Sequence, residues 1–333
     1  MQRPAASQLR EIVNAFPRVT VAVLADLVAD EFLYGEISRV SREAPVLILK
    51  HRERTVVPGG GANAIYNLAD LGVKVLPVGI VGDDEPGRLL LERFQAKKIP
   101  LHGVLKLKGH TTVTKTRILA GMTHTTRQQV VRVDREPDRD LARSVESDLV
   151  RTARKFTSKA DALLISDYGY GAATPQLLDQ LRTNGGLNGM PVALDSRYRI
   201  LQYSGVTAAT PNEPEVEEAL RIQIGDDNSR LHAAGKELLS RMKLESLVIT
   251  RGRHGMVAFM RGKNPLEIPI HGTDQVADVT GAGDTVIATF TAALAAGADA
   301  ECAAYLANYA GGIVVMKQGT ATVTRKELLA ILE

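Results

Sequence analysis

Short apolar runs alternate with helical patterns along most of the 333-residue sequence, and this alternation constrains the fold more than any other feature. The run VTVAVLADLV at 19–28 indicates a buried strand, the stretch at 62–72 a helix that ends at a glycine, and 73–82 a further strand. Short apolar runs of the same kind lie at 161–166, 191–196, 205–210 and 246–250. The alternation predicts an α/β fold in which helices cover both faces of a mostly parallel sheet.

Two stretches, 33–57 and 104–135, break this alternation because they carry strand patterns without intervening helices. Sequences such as TTVTKTRIL and QQVVRVD are typical of half-exposed strands. We interpret both stretches as a small β layer beside the main sheet, which serves as a lid over a site, as a dimer surface, or as both. No internal repeat or long linker occurs, so we expect one domain over residues 1–333. Exposed strand edges in the lid segments favour a homodimer that forms through the lid.

The charge balance and the apolar stretches argue against several classes of function. The 41 Lys and Arg residues and 38 Asp and Glu residues give a net charge of +3 without a dense basic run, so we expect no nucleic-acid partner. The longest apolar stretches, near 286–298 and 303–316, are interrupted by polar residues or glycine and predict core helices, not membrane spans. With Cys302 as the single cysteine and no apolar signal core at the N-terminus, the sequence predicts a cytoplasmic protein.

The stretch DVTGAGDTVIATF at 278–290 places two acids around a glycine turn, directly before an apolar helical pattern. Gly281 and Gly283 can adopt backbone angles closed to other residues and leave room for a ligand. A helix that begins there presents unpaired N–H groups and the positive end of its dipole, which together attract an anion. Asp284 either caps this helix or acts as a base beside the anion site, and this motif alone leaves both interpretations open.

Three further stretches favour a phosphoryl-transfer site. PGGGANAIYNLADLG at 58–72 places three glycines and an asparagine before a helix. TPNEPEVEEAL at 210–220 brings Asn212 and Glu215 to the start of another helix, a spacing suited to a hydrated magnesium ion and phosphates. VITRGRHG at 248–255 ends a strand in a glycine-containing turn, where α/β sheets bind ligands.

These motifs resemble those of the ribokinase-like (PfkB) carbohydrate kinases over nearly the whole chain. The stretch that begins PGGGANAIYNLADLG and continues through VGIVGDDEPGRLL resembles the N-terminal signature of that family, and DVTGAGDTVIATFTAALAAG matches its C-terminal signature D-x-x-G-A-G-D. The resemblance implies a three-layer α/β/α fold with a β lid. It also implies transfer of the γ-phosphoryl group of ATP to a sugar hydroxyl with Mg²⁺, and it leaves a requirement for a monovalent cation open.

The resemblance also implies roles for individual residues. Asp284 is the expected base. The amides expected to form the anion hole are those of Gly281, Ala282 and Gly283. The residues expected on the nucleotide and magnesium side are Asn212, Glu215, Thr250 and Gly252, with Glu215 acting on the metal through water. The residues expected to hold sugar hydroxyls are Asp26, Asp30, Gly59, Gly60 and Asn63.

Within the family, the chain is most similar to the branch of D-glycero-D-manno-heptose 7-phosphate kinases, which form the kinase half of a bifunctional heptose-activating enzyme. The similar stretches are ADLVADEFLYGEISRVSREAPV (25–46), KTRIL (115–119), QQVVRVDRE (128–136) and SDYGYGA (166–172). This resemblance implies transfer to the anomeric hydroxyl, giving a 1,7-bisphosphate. The phosphate of such a substrate needs cations, and Lys115, Arg117 and Arg132 are candidates. The alternative is that these three are solvated charges on strand faces.

The chain departs from this branch at three places. Tyr170 stands where the branch has lysine in its D-Y-x-K-G segment, Asp195-Ser196-Arg197 stands where it often has D-P-K, and Ala25 replaces a glycine. We therefore expect differences in a phosphate contact and a sugar contact, and the exact sugar stays open. Tyr168 and Tyr170 could stack on a substrate, but we interpret them as wall residues. Because no nucleotidyltransferase region follows the kinase-like stretch, we expect any further activation from another protein.

Competing interpretations are weaker. GGGANA also fits the dinucleotide pattern G-x-G-x-x-A, but Pro58 and a short TVV run stand where that pattern requires a strand, which disfavours a dehydrogenase. A P-loop is absent because the GK pair at 262–263 is followed by Asn264. Other branches of the family, such as ribokinase, fructokinase or nucleoside kinase, stay open. A sugar-phosphate sensor also stays open, although the base, anion hole and metal-organising pair that catalysis needs are all present.

Overall fold

The computed structural model of the protein describes residues 3–121, 127–138, 140–183, 186–187, 189–272 and 278–333. The strands of its large sheet are, in chain order, β1 (Thr20–Ala25), β4 (Lys74–Gly82), β5 (Val104–Leu107), β8 (Ala162–Asp167), β9 (Val192–Ser196), β10 (Ala208–Ala209), β11 (Ser246–Thr250), β12 (Met256–Met260) and β13 (Leu266–Ile268). Their order in space is β13-β12-β11-β10-β9-β8-β1-β4-β5. Only the β11–β12 and β12–β13 pairings in this sheet are antiparallel. The predicted mostly parallel sheet is confirmed.

Helices cover both faces of the large sheet, as the sequence predicts. They are α1 (Ala6–Ala15), α2 (Gly61–Asp70), α3 (Glu85–Ala96), α4 (Arg143–Thr157), α5 (Pro175–Arg182), α6 (Glu213–Leu220), α7 (Asn228–Arg241), α8 (Ala282–Ala295), α9 (Ala300–Val314) and α10 (Arg325–Ala330). In β1, Val21 and Val23 join the core under α2, α8 and α9, whereas Ala22 and Leu24 join the core under α4, α5 and α7. Because both faces of the strand are buried, its sequence is continuously apolar.

A separate small sheet has four strands, which are β2 (Leu27–Val40), β3 (Leu47–Gly60), β6 (Thr114–Gly121) and β7 (Gln128–Arg135), in the order β3-β2-β6-β7. The predicted β layer is therefore confirmed, with one correction to its lid segment 104–135. Strand β5 lies inside that segment but pairs with β4 and extends the large sheet. It does so because its apolar side chains pack alternately on the two cores of the large sheet. Residues 122–126 of the same segment lie outside the described residues.

The two longest apolar stretches of the sequence form α8 and α9, whose side chains are mostly buried in the core on one face of the large sheet. They are core helices, as predicted. Within the described ranges, the structure contains no helix with the length and apolar character needed to cross a membrane.

Polar residues converge at one edge of the large sheet. Strands β1, β8, β9, β10 and β11 end there, and α8 begins there with the glycine turn. The small sheet approaches the same place, because β2 follows β1 after a single residue and β3 leads directly into α2. In open parallel sheets, ligands bind in the crevice outside the carboxyl ends of the strands.

Candidate active site

A polar cavity of about 400 Å³ lies at this edge of the large sheet. The predicted site residues that line it are Asn212, Glu215, Thr250, Gly252, Gly281, Ala282, Gly283 and Asp284. A narrower and mainly apolar cavity of about 140 Å³ adjoins it and shares Thr250, Gly252 and Gly283. Met256, Ile270 and Val315 contribute apolar walls to this second cavity. A polar cavity therefore lies beside a smaller, mainly apolar one.

The start of α8 forms one wall of the polar cavity. Gly281 has a φ of +78°, and a Cβ atom there would lie 2.5 Å from Nδ2 of Asn63, so this turn requires glycine. Among the described residues, the N–H groups of Gly281 and Gly283 have no hydrogen-bond partner, whereas Ala282 donates its N–H to the carbonyl oxygen of Val279 at 3.2 Å. Two of the three amides predicted for an anion hole are therefore available to a ligand in this conformation.

Asp284 lies in the first turn of α8 with its side chain buried. Its Oδ2 accepts a hydrogen bond from Nδ2 of Asn63 at 2.9 Å, and its Oδ1 accepts one from the hydroxyl of Tyr168 at 2.8 Å. Burial raises its pKa to about 7, with a further rise from Asp30, while the two hydrogen bonds and Lys115 lower it. A carboxylate whose pKa lies near neutral pH is suited to general-base chemistry.

Asn63 belongs to a chain of buried polar contacts that joins α2 to the start of α8. Besides its bond to Asp284, its Nδ2 contacts the carbonyl oxygen of Gly281 at 3.4 Å. Its Oδ1 accepts from Nδ2 of Asn67 at 3.2 Å, and Oδ1 of Asn67 accepts from the Thr285 hydroxyl at 3.0 Å. The predicted residue Asn63 therefore touches both the carboxylate and the glycine turn.

Asn212 and Glu215 form a capping box at the start of α6. Oδ1 of Asn212 accepts from the Glu215 N–H, and Oε2 of Glu215 accepts from the Asn212 N–H, each at 2.9 Å. The N-x-x-E spacing therefore has a local structural explanation, and the pair also lines the cavity. Within the described ranges, no cluster of three or more His, Cys, Asp or Glu residues forms a metal site.

Carboxyl groups crowd the polar cavity. Burial raises the pKa of Glu215. Burial also raises the pKa of Asp195 well above its ordinary value, and the neighbouring Glu215 and Asp284 raise it further. Arg197, which lines the same cavity, opposes these shifts in Asp195 and Glu215, and a further cation in the cavity would also favour the ionised carboxylates.

The small sheet brings two predicted residues, Asp30 and Lys115, to adjacent register positions beside Asp284. The side chain of Lys115 is only 9% exposed, and its Nζ lies 5.5 Å from the ring centroid of Tyr168 and 5.9 Å from that of Tyr170. Burial lowers the pKa of Lys115. Lys115 forms no ion pair with any residue that the structure describes, although the charges of Asp30 and Asp134 favour its ionised form.

The other two predicted cations differ from Lys115. Arg117 donates from Nη1 to Oδ1 of Asp30 at 2.7 Å, and both side chains are largely buried. Arg132 is half-exposed and forms two 2.9 Å hydrogen bonds to Asp134 on its own strand. Arg117 and Arg132 are direct cross-strand partners, and Lys115 lies two residues from Arg117 on the same strand, so the three cations share one face of the small sheet. They differ in their partners, because Arg117 pairs with Asp30 and Arg132 with Asp134.

None of the predicted sugar-side residues belongs to the lining of the polar cavity; these residues are Asp26, Asp30, Gly59, Gly60, Asn63, Lys115, Arg117 and Arg132. Asp26 does not line the cavity; it is buried beneath the loop that follows β8. Gly59 passes so close to Asp30 that a Cβ atom there would lie 2.5 Å from its carboxyl carbon. Gly60, with a φ of +51°, would place a Cβ atom 3.3 Å from the Tyr168 ring. These two glycines therefore let β3 pack closely against Asp30 and Tyr168.

Most of the chain matches a known protein family. The sequence profile described as "pfkB family carbohydrate kinase" matches residues 27–327. The chain belongs to the pfkB family of carbohydrate kinases. Members of this family transfer a phosphoryl group to sugar hydroxyls, and the family predicted from the sequence is confirmed.

Curated relatives of this pfkB kinase include "Bifunctional protein HldE" of Desulfatibacillum aliphaticivorans, which is 38% identical over 322 residues, covering 96% of this chain and 64% of the relative. The protein of the same name from Geobacter metallireducens is 40% identical over 312 residues, covering 93% of this chain and 62% of the relative. The chain thus spans somewhat less than two thirds of the length of these relatives.

Solved structures confirm the ribokinase-like fold of the pfkB kinase. Ribokinase of Arabidopsis thaliana, in a complex with ribose and ATP, superposes with a TM-score of 0.72 at 19% identity, covering 95% of this chain and 99% of that one. Phosphofructokinase-2 of Escherichia coli, in a complex with substrates and products, gives a TM-score of 0.73 at 17% identity, covering 94% and 98%.

The sequence analysis did not assign Asp195, Arg197 or Thr210 to the site of this pfkB kinase, although all three line the polar cavity, and it gave Tyr168 only a wall position. The Thr210 hydroxyl is buried and has no hydrogen-bond partner among the described residues. Tyr168 directly follows β8, Asp195 lies near the end of β9, and Thr210 directly follows β10. The rule that ligands bind beyond the carboxyl ends of parallel strands would have indicated these positions.

Proposed function

We propose that this pfkB-family kinase phosphorylates a heptose 7-phosphate at its anomeric hydroxyl and forms the 1,7-bisphosphate. The observation that carries the proposal is the buried Lys115 ammonium group, which has no ion-pair partner among the described residues and lies beside Asp284 and Tyr168. A buried cation without a carboxylate partner is costly unless a ligand supplies the anion, and a sugar phosphate does so. The curated relatives named HldE support the same acceptor, because HldE is a heptose 7-phosphate kinase and adenylyltransferase.

In the proposed reaction, the acceptor hydroxyl lies beside Asp284, which takes its proton as the oxygen bonds to the γ-phosphorus of ATP and ADP leaves. The unpaired N–H groups of Gly281 and Gly283 stabilise charge on the transferred group. Lys115 binds the distant phosphate and so holds the acceptor in line. This role for Asp284 requires its ionised form, which its pKa of about 7 makes available near neutral pH.

The residues present fit ATP and magnesium. The apolar cavity of about 140 Å³ suits a nucleobase, and the polar cavity suits the phosphates and the acceptor. Magnesium prefers oxygen ligands, keeps several waters and is usually held by one or two carboxylates together with substrate phosphates. Glu215 offers such a carboxylate, and we propose that it holds the ion through water. When bound, magnesium would neutralise phosphate charge. ATP as the donor fits a cytoplasmic location.

Release of ADP from MgATP with a panel of acceptors tests this proposal. The panel pairs seven-carbon and six-carbon sugar phosphates with their unphosphorylated forms. We expect the highest kcat/KM with a heptose 7-phosphate and at least about a tenfold loss when its phosphate is removed, because one charge-assisted contact contributes that much. A preference for a plain sugar or a nucleoside would overturn the heptose assignment and leave the kinase. Binding of sugar phosphates without turnover would indicate a sensor.

We also propose that the small sheet mediates a homodimer. Valines at 130, 131 and 133 on β7 are each nearly half exposed, and Val40 and Leu47 on the paired β2 and β3 are exposed as well. Burying this apolar surface between two copies would stabilise a dimer.

Light scattering at micromolar protein tests the dimer. We expect a dimer mass for the wild type and a monomer mass for Val131→Lys. The matched control is Ile222→Lys, which places the same charge at an exposed apolar residue away from the small sheet and should stay dimeric. A monomer mass for the wild type would contradict the proposal.

A further inference from the structure

We propose that Tyr168 is a positioning residue of this kinase, whose hydroxyl holds the Asp284 carboxylate in its reactive orientation, and that Asp26 fixes the loop which carries Tyr168. This inference rests on the proposed role of Asp284 as the base. Neither residue is required to touch the substrate for this purpose. The proposal gives Asp26 a function in place of the sugar contact that its sequence position implies.

The contacts of Asp284 define how its carboxylate is oriented. Tyr168 donates to one carboxylate oxygen at 2.8 Å and Asn63 donates to the other at 2.9 Å, so the two bonds fix the plane of the group. Each carboxylate oxygen keeps further lone pairs for the proton of an acceptor hydroxyl. Burial and the charge of Asp284 raise the pKa of Tyr168 well above its ordinary value. Tyr168 therefore stays protonated and acts as a donor to Asp284.

A buried acid fixes the loop that carries Tyr168. Both oxygens of Asp26 accept backbone N–H groups of this loop, from Tyr168 at 2.9 Å, Tyr170 at 3.0 Å and Ala172 at 2.8 Å. Asp167 accepts the N–H of Gly169 at 2.9 Å and so holds the same loop from its other side. With its main chain held by two carboxylates, the loop presents the Tyr168 hydroxyl to Asp284 at a defined position.

The charged groups that face Asp284 come from several elements. Asp30 approaches from β2 and Asp195 from β9, and both disfavour the ionised form of Asp284. Lys115 approaches from β6 and favours it. Asn63 on α2 and Tyr168 form the hydrogen bonds that stabilise the carboxylate. Removing the Tyr168 hydroxyl would leave a buried carboxylate with two acidic neighbours and one fewer donor, so the pKa of Asp284 would rise.

The test compares Tyr168→Phe with the wild type through the pH dependence of kcat/KM for the acceptor. Activity needs ionised Asp284, so it falls as the pH drops through the pKa of that group. We expect the acid limb of Tyr168→Phe to lie about half a unit to one unit higher in pH, since one hydrogen bond to the carboxylate is lost. We expect kcat at neutral pH to fall about tenfold, partial recovery at higher pH, and an unchanged KM for ATP.

Tyr203→Phe provides the structural control. Its hydroxyl donates to the buried carboxylate of Asp167 at 3.0 Å, so the variant loses a comparable bond that supports the same loop without touching Asp284. We expect a lower melting temperature and an acid limb that coincides with that of the wild type. If the acid limb of Tyr203→Phe shifted as far as that of Tyr168→Phe, loss of loop stability would explain both shifts. That result would overturn the proposal.

Two outcomes separate this proposal from the one on which it rests. Full activity of Asp284→Asn would show that Asp284 is not the base, and Tyr168 would then have no base to position. An inactive Asp284→Asn together with a folded Tyr168→Phe whose acid limb matches the wild type would overturn the positioning proposal alone. Melting temperatures of all variants establish that each one is folded at the assay temperature.

Discussion

Asp284→Asn is expected to lower kcat by about 10² to 10⁴-fold, which is the range that general bases contribute to the rate. The Kd for ATP should stay within about threefold of the wild-type value. The amide cannot take the proton of the acceptor hydroxyl. It can still accept from Asn63 with its oxygen and donate to the oxygen of Tyr168 with its nitrogen, so the contacts around it are retained. Release of ADP measures turnover, and calorimetric titration measures ATP binding.

The matched control for this variant is Asp299→Asn. Asp299 stands at the start of the next helix, α9, where its Oδ1 accepts the Cys302 N–H at 2.8 Å, and asparagine caps a helix equally well. We expect near-normal turnover for the control. Turnover of Asp284→Asn within a factor of ten of the wild type would exclude Asp284 as the base.

The same substitution should also change how stability depends on pH. Folding raises the pKa of Asp284 from 3.8 to about 7, so the folded chain binds the proton more tightly than the unfolded chain does. The stability that this difference provides is fully present below pH 3.8 and is lost as the pH rises through about 7. The side-chain amide of the Asp284→Asn variant does not titrate. As the pH rises from 3.8 to about 7, we therefore expect the melting temperature of the wild type to fall relative to that of the variant.

Lys115→Met is expected to lower kcat/KM for a phosphorylated acceptor by about 10 to 100-fold, mostly through KM, because one charge-assisted contact to the phosphate is lost. At a pH well above the Asp284 pKa of about 7, where loss of the Lys115 charge leaves Asp284 ionised, activity with the unphosphorylated acceptor should change by less than about threefold. The melting temperature should not fall, since the ammonium group is buried without an ion-pair partner among the described residues and methionine fills a similar volume.

Lys106→Met is the control, because Lys106 is an exposed lysine at the edge of the large sheet that pairs with Asp83. It should leave both acceptors unaffected. Equal losses with phosphorylated and unphosphorylated acceptors in Lys115→Met would mean that Lys115 does not bind the substrate's phosphate, and the heptose 7-phosphate assignment would lose its main support.

Sequence patterns predicted the large sheet well because its parallel strands are buried on both faces, which leaves continuous apolar runs such as 19–28. The pattern could not show that β5 belongs to the large sheet and not to the lid. A strand of four residues is too short for its apolar alternation to indicate which sheet it joins. The start of α8 was predicted from chemistry that is local in the chain: a glycine turn, an acid and an apolar helix. Gly281 indeed adopts the positive φ which that motif implies.

Contacts between distant parts of the chain could not be predicted in the same way. Nothing near Asp26 in sequence indicates that its carboxylate accepts three strong hydrogen bonds from a loop more than 140 residues later. The sequence also does not show that Arg117 has an ion-pair partner and Lys115 has none among the described residues. Both are basic residues of β6, and only the folded chain brings Arg117 to Asp30. Residue types predicted the chemistry, whereas only the tertiary contacts show which of these side chains have hydrogen-bond or ion-pair partners.

The contacts of Asn63 have a mechanical consequence. This single amide contacts Asp284 and the Gly281 carbonyl, and through Asn67 it is connected to Thr285 one turn further along α8. The Asp284 carboxylate and the glycine turn are thereby joined to α2 by side-chain hydrogen bonds, whereas Lys115 belongs to the small sheet. A substitution that displaces α2 relative to α8 would therefore disturb the carboxylate and the glycine turn together, whereas the position of Lys115 depends on the strand pairing of the small sheet.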